Sequence, residues 1–144
     1  MDVIGETMIF NTKVRYGLAV VFALANKTSF VSIQSIASEL GLSKTYLEQV
    51  FTLLKNNQIV DSIKGPQGGY RLLNLDGLDV YSVFKALDPD LIAYEDETAL
   101  LDEHLNKHIS DLIYHPLHDV MTTTLKQLKI KDLLLTQKDP MYYI

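Results

Sequence analysis

Hydrophobic positions in the first third of the chain recur at helical spacing in three separate stretches, each opened by a small polar residue. Asn11 and Thr12 precede Val14, Leu18, Val21, Phe22 and Ala25, which predicts a helix running to about Ala25 with one of the two polar residues as its N-cap. Phe30 and Val31 read as a short strand. Ser32 then caps a second helix with Ile33, Ile36, Ala37 and Leu40 on one face, and Gly41 ends it, because glycine enters the left-handed conformation at least cost. Ser43 caps a third helix from Lys44 to about Asn56, whose apolar stripe is Leu47, Val50, Phe51 and Leu54. Two short amphipathic helices joined through Gly41, Leu42 and Ser43 predict a helix-turn-helix; a helix pair that serves only the core has the same pattern.

The period then changes from helical to alternating. Ile59, Val60, Asp61, Ser62 and Ile63 alternate apolar and polar, as do Tyr70, Arg71, Leu72 and Leu73. Between them stand Lys64, Gly65, Pro66, Gln67, Gly68 and Gly69, turn chemistry that specifies a β-hairpin with a tight exposed tip. Lys64 and Arg71 put a cation at each foot of that tip, as a wing resting on phosphates would need; the alternative is an ordinary hairpin closing a small sheet.

Residues 80–87 predict a fourth helix, stopped by Asp88 and Pro89. An acidic stretch follows, and then Leu101, Leu105, Ile109, Leu112 and Ile113 at helical spacing. Pro116 lacks the donor of a helix interior, so it is expected to open a new helix rather than kink the old one. Leu117, Val120, Met121, Thr124, Leu125 and Leu128 form a near-heptad seam. So small a protein leaves that seam little to cover, and packing on a second copy across a two-fold axis is the economical solution. The expected fold is therefore mainly α, a winged helix-turn-helix with a small β-hairpin wing and C-terminal dimerisation helices. Its expected divisions are a flexible extension over residues 1–7, the DNA-binding domain over 8–88, dimerisation or effector helices over 89–136, and a tail over 137–144.

Charge sharpens this division. The chain carries a net −5 overall, yet residues 8–75 hold seven Lys/Arg against three Asp/Glu, and residues 76–144 hold six Lys against thirteen Asp/Glu. A positive first half fits a polyanionic partner, although a chance distribution of surface charge gives the same imbalance. There is no cysteine, which excludes disulfides, thiolate metal sites and thiol catalysis, and which fits a reducing cytoplasm. No apolar run is long enough to span a bilayer, and the acidic start with Asp2 and Glu6 does not read as a secretory signal. No nucleophile elbow, phosphate-binding glycine loop or metal-binding trio is visible, so a non-enzymatic protein is expected.

Arg15-Tyr16-Gly17-Leu18-Ala19, Ile36-Ala37, Leu42-Ser43, Tyr46-Leu47-Glu48-Gln49 and the run from Lys64 through Gly-Pro-Gln-Gly-Gly-Tyr-Arg to Leu72 resemble the regulator family that includes IscR, NsrR and CymR. The resemblance is close from Met8 to about Leu87 and looser beyond, and it implies a dimeric winged-helix transcription factor, most commonly a repressor, acting on a palindromic or pseudo-palindromic operator. At about 100° per residue, Thr45, Glu48, Gln49 and Thr52 fall opposite the Leu47/Phe51 stripe. The resemblance implies that Thr45, Glu48 and Gln49 face the major groove and that Lys64 enters the minor groove, where the family usually has arginine. Glutamine can bond adenine through both its groups and glutamate can accept from the cytosine amine. Lys13, Arg15 and Lys44 suit phosphates. The expected DNA-binding set is completed by Ser43, Tyr46, Gly65, Pro66, Gln67, Gly68, Gly69 and Arg71.

Several members of that family hold an iron–sulphur cluster on three cysteines in the segment matching residues 92–108; with no cysteine there, no such cofactor is expected. His104 and His108 stand one helical turn apart, but two ligands make no closed metal site, and they read as surface histidines, as do His115 and His118. The chain ends Met141-Tyr142-Tyr143-Ile144, an apolar peptide with a free carboxylate that a partner could capture. CymR has a similar tail, and its partner is cysteine synthase, which takes the C-terminal isoleucine of another enzyme into its active site. Docking of Ile144 on such an enzyme, or packing of the tail on its own dimer, are the two readings.

Overall fold

The computed structural model describes residues 10–93 and 102–137, with side chains to Leu134; the stretches 1–9, 94–101 and 138–144, including the tail Met141 to Ile144, lie outside the described residues. The described elements run α1 (Thr12–Ala25), α2 (Ile33–Leu40), α3 (Lys44–Asn56), β1 (Val60–Ile63), β2 (Gly69–Leu72), α4 (Val80–Leu87), α5 (Pro89–Ile92), α6 (Glu103–Ile109), a π-helical segment (Ser110–Tyr114), α7 (His115–Gln127) and α8 (Ile130–Gln137). The mainly helical fold with one two-stranded hairpin is the winged helix-turn-helix expected from the periodicities.

The helix starts follow their caps. Asn11 Oδ1 accepts from Val14 N–H, Ser32 Oγ from Ser35 N–H, Ser43 Oγ from Tyr46 N–H, and Asp79 Oδ1 from Ser82 N–H. Each bond satisfies a donor that the first turn would leave unpaired. Asn11 also donates through Nδ2 to Asp88 at 2.7 Å, tying the start of α1 to the end of α4.

The core lies where α1, α3 and α4 meet the hairpin. The α3 stripe of Leu47, Val50, Phe51 and Leu54 is fully buried. The buried face of α1 differs from the expected one: Val14 and Val21 are inside, but Leu18, Phe22 and Ala25 are only half-buried, and Gly17, Val20 and Leu24 take their place. Gly17 is the reason. A Cβ there would stand 2.2 Å from the buried Leu87 side chain, so the bare backbone at this position lets α4 close onto α1.

β1 and β2 pair antiparallel with Val60 opposite Leu72 and Ile63 opposite Gly69. Val31 adds the expected third piece of strand, exchanging two 2.8 Å bonds with Tyr70. That approach requires Gly69. A Cβ there would lie 2.2 Å from the Val31 carbonyl oxygen and 2.7 Å from Ser32 N, and backbone cannot rotate away as a side chain can. Gly69→Ala is therefore expected to break the Val31–Tyr70 bridge and to cost about 2–3 kcal/mol, from overpacking plus lost hydrogen bonds. Urea unfolding should show a lower midpoint with little change in slope.

Glu103 to Gln127 follows one helical path. Ile109, Ser110, Tyr114 and His115 all have right-handed helical torsions, and the His115 N–H donates to the Ser110 carbonyl, five residues back. Pro116 does stand at the start of α7, but no break precedes it; the wider π turn absorbs the irregularity that a missing donor forces. The expected seam divides between two faces. Leu125 is buried and Met121 half-buried against the core of its own protomer, whereas Leu117, Val120, Thr124 and Leu128 are exposed. His118 is held as well as exposed at its edge: its Nε2–H donates to the Ile92 carbonyl at 2.8 Å.

The chain then returns. Val80 N–H donates to Leu128 O and Ile130 N–H to Leu78 O, and α8 buries Ile130 and Leu134 in the same core as α1. The C-terminal segment is thus not wholly separate from the winged helix, a long-range contact that the spacing of Ile130 and Leu134 could not announce.

Candidate nucleic-acid interface

Gly41, at φ 68° and ψ 33°, ends α2 and aims the chain into Ser43, whose cap starts α3. The buried stripe of α3 fixes its rotation, and Lys44, Thr45, Glu48, Gln49 and Thr52 are left exposed on the other side. Lys13 from the first turn of α1 joins Thr45, Glu48, Gln49 and Thr52 around one shallow open concavity. The structure therefore brings together five of the expected residues from two helices.

Tyr46 differs from its neighbours. It is half-buried, with its ring edge-on to Tyr16 at 5.3 Å between centroids. Burial raises its phenol above the ordinary pKa, and the nearby Tyr16 raises it further, so it is a neutral hydroxyl at physiological pH. The pair packs α3 against α1. Thr52 is also partly committed, since its hydroxyl donates to the Glu48 carbonyl at 2.8 Å. No acidic residue occupies the first turn of α3, and Lys44 stands there instead, a charge arrangement that works against the helix dipole but suits a phosphate.

The hairpin tip presents Lys64, Gly65, Pro66 and Gln67 to solvent, with Gly68 and Gly69 half-buried behind them. Gly65 has φ 107°, which a side chain would resist, and its carbonyl accepts from Gly68 N–H at 2.9 Å across a turn with Pro66 second. Lys55, which the sequence pattern did not single out, donates to Ser62 at 2.6 Å and ties the end of α3 to β1. Arg15 is exposed on α1 near Lys13.

Arg71 is not brought to this surface. Along β2 the neighbouring Tyr70 stacks on Phe51 of α3, with centroids 4.2 Å apart, and strand alternation sends Arg71 the other way. Its guanidinium lies 4.4 Å from the Phe30 ring centroid and borders a pocket with the C-terminal end of α1, the opposite end from Lys13. Alternation of adjacent strand residues is the signal that would have found this.

No helix among the described residues is long and apolar enough to cross a membrane. The family model Rrf2, described as "Iron-dependent Transcriptional regulator", matches residues 10–136. The HTH-type transcriptional regulator IscR of Enterobacter sp. (strain 638) is 30% identical over 135 residues, covering 91% of this chain and 82% of that protein. Among solved structures, CymR of B. subtilis, "the Global Cysteine Regulator", is similar at 32% identity with a TM-score of 0.72, covering 90% of this chain and 97% of the other. The structure of T. potens IscR is similar at 26% identity and a TM-score of 0.66, with 99% and 100% covered. The iron named for the family finds no thiolate here, because the chain has no cysteine, and among the described residues no group of three His, Asp or Glu could hold a metal ion. Fold, hairpin and sequence agree that the chain belongs to the Rrf2 family of winged-helix transcriptional regulators.

Proposed function

We propose that this regulator binds operator DNA sequence-specifically as a homodimer and represses transcription, without an iron–sulphur cluster. The observation that carries the reading is the concavity in which Lys13, Thr45, Glu48 and Gln49 stand together, in a chain that also carries an exposed, glycine-built hairpin tip bearing Lys64. Glu48 and Gln49 supply the acceptor and the amide that read base edges in the major groove, with Thr45 beside them. Lys64 is the residue for the minor groove, where its compact, strongly hydrated charge discriminates groove width less well than arginine would. Lys13, Arg15 and Lys44 contact phosphates and set register without reading sequence. Leu117 and Val120, exposed on α7, are where a second copy packs. Repression follows from a dimer that occupies promoter DNA and carries no catalytic group.

Footprinting of upstream DNA with the full chain is expected to protect a two-fold related site, its half-sites separated by about one helical turn or a multiple of it. Log affinity should fall linearly and steeply with log salt as phosphate counterions are released. A shallow salt slope, or no protected site at low salt, would overturn the reading.

The tail supports a second reading. The likeness to the B. subtilis global cysteine regulator, together with the aromatic and apolar run Tyr142-Tyr143-Ile144, favours binding of this run by a cysteine-synthase-type enzyme. Removing Ile144 alone is expected to abolish a complex with cysteine synthase seen by calorimetry for the full chain. No heat of binding from the full chain would discard this partner.

A further inference from the structure

On the side of the hairpin that α3 does not use, the last turn of α1 and the outer part of β2 enclose a pocket of about 380 Å³. That lies within the roughly 300–1,000 Å³ of small-ligand sites. Leu24, Ala25, Leu72 and Leu75 furnish apolar wall, and Lys27, Thr28 and Arg71 stand at the edge.

The edge is not electrostatically neutral. Lys27 is paired with Glu39 at 3.3 Å, so its charge is already answered within the protein. Arg71 is different. Its contact is with a ring: the guanidinium lies 4.4 Å from the Phe30 centroid, a contact that uses none of its N–H donors. Among the described residues no carboxylate pairs with it; Asp61, its cross-strand neighbour, instead accepts from the backbone N–H of Ser62. A guanidinium without a carboxylate partner, lying over an aromatic ring beside a pocket that several leucines line, has the chemistry to take a carboxylate.

We infer that this pocket binds a small organic carboxylate with a short branched apolar side chain, the acid group on Arg71 and the hydrocarbon against Leu72, Leu73 and Leu75. Thr28 also lines the pocket and carries a hydroxyl donor. The site would occupy no part of the α3 surface, and it joins the wing to α1, the two parts that must hold their relative positions for any duplex to be gripped by both. The inference does not require DNA binding, and its test is read without DNA.

The test is titration of the ¹⁵N-labelled full chain by NMR with three probes: isovalerate, its uncharged amide isovaleramide, and inorganic phosphate. Isovalerate is expected to move the amide resonances of Thr28, Arg71, Leu72 and Leu73 saturably. The amide and phosphate should bind on the order of tenfold or more weakly, since one lacks the charge-assisted bonds and the other the buried hydrocarbon. Arg71→Gln should lose a similar factor for isovalerate while its thermal unfolding stays close to that of the parent. No saturable shift at these residues overturns the proposal, and so does equal binding of acid and amide. Equal binding of phosphate also overturns it, because the surface would then be a plain anion contact of the kind a nucleic-acid backbone could fill. The acid–amide comparison is made on the unsubstituted chain and stands even if the Arg71 variant folds poorly.

Discussion

A chain with Leu117 and Val120 both changed to aspartate is expected to sediment as a folded monomer and to lose operator affinity by on the order of 100-fold or more. Each of the two side chains is 65% exposed in the protomer, so neither supports its fold. Leu105, Leu112 and Ile113 continue the same exposure along α6 and the π segment. A run of large apolar side chains open to water is uncommon on a monomer and marks an interaction surface. Burying two carboxylates in a self-packed seam without partners opposes association strongly. The affinity loss follows from geometry: a monomer grips one half-site, and the free energy of the second is no longer gained. Leu125→Asp is the contrast. Leu125 is only 7% exposed within its own protomer, so this change should unfold the chain, with loss of helical circular dichroism. A double variant that stays dimeric by sedimentation would place the second copy elsewhere.

The seam also shows where sequence reasoning stopped. A near-heptad of Leu117, Val120, Met121, Thr124, Leu125 and Leu128 describes one broad apolar stripe, and periodicity cannot tell which edge of a stripe meets the protomer and which meets solvent. The answer came from α4, which packs on α7, and from the core that takes in Leu125 and has Met121 against it. The α3 stripe was legible because cap, period and stop all lie between Ser43 and Asn57 and point the same way. For the same reason the exposed set Thr45, Glu48 and Gln49 could be read directly: on a single helix, knowing the buried face gives the open one. On α1 the buried face lies part of a turn from the expected one, because Gly17 adds nothing to an apolar stripe, yet its missing side chain is what admits Leu87. Lys13 reached the site and Arg71 did not, and each outcome depended on which neighbouring element lay across from it. Tyr46 stood at the right address, but its packing on Tyr16 required α1 and α3 to be seen together.

Gln49→Ala and Lys13→Ala are expected to weaken DNA binding in distinguishable ways. Gln49 is exposed on α3 with no side-chain bond to its own protein among the described residues, so its amide is free to pair with a base edge. Losing a bidentate base contact costs about 1–3 kcal/mol against the preferred base, roughly 5- to 150-fold, and leaves binding to unrelated DNA nearly unchanged. Specificity measured as the ratio of operator to random-sequence affinity should therefore collapse toward that of a non-specific binder at this position. Lys13 reaches the same concavity from α1 but offers a single flexible charge, which reads no sequence. Its removal should weaken operator and random DNA by the same factor and reduce the magnitude of the salt slope by about one for each half-site. Affinities of both variants for both DNAs across a salt series separate the two roles. If Gln49→Ala lowered both affinities equally and flattened the salt dependence, the α3 flank would be gripping backbone, and base reading would have to be sought on the hairpin.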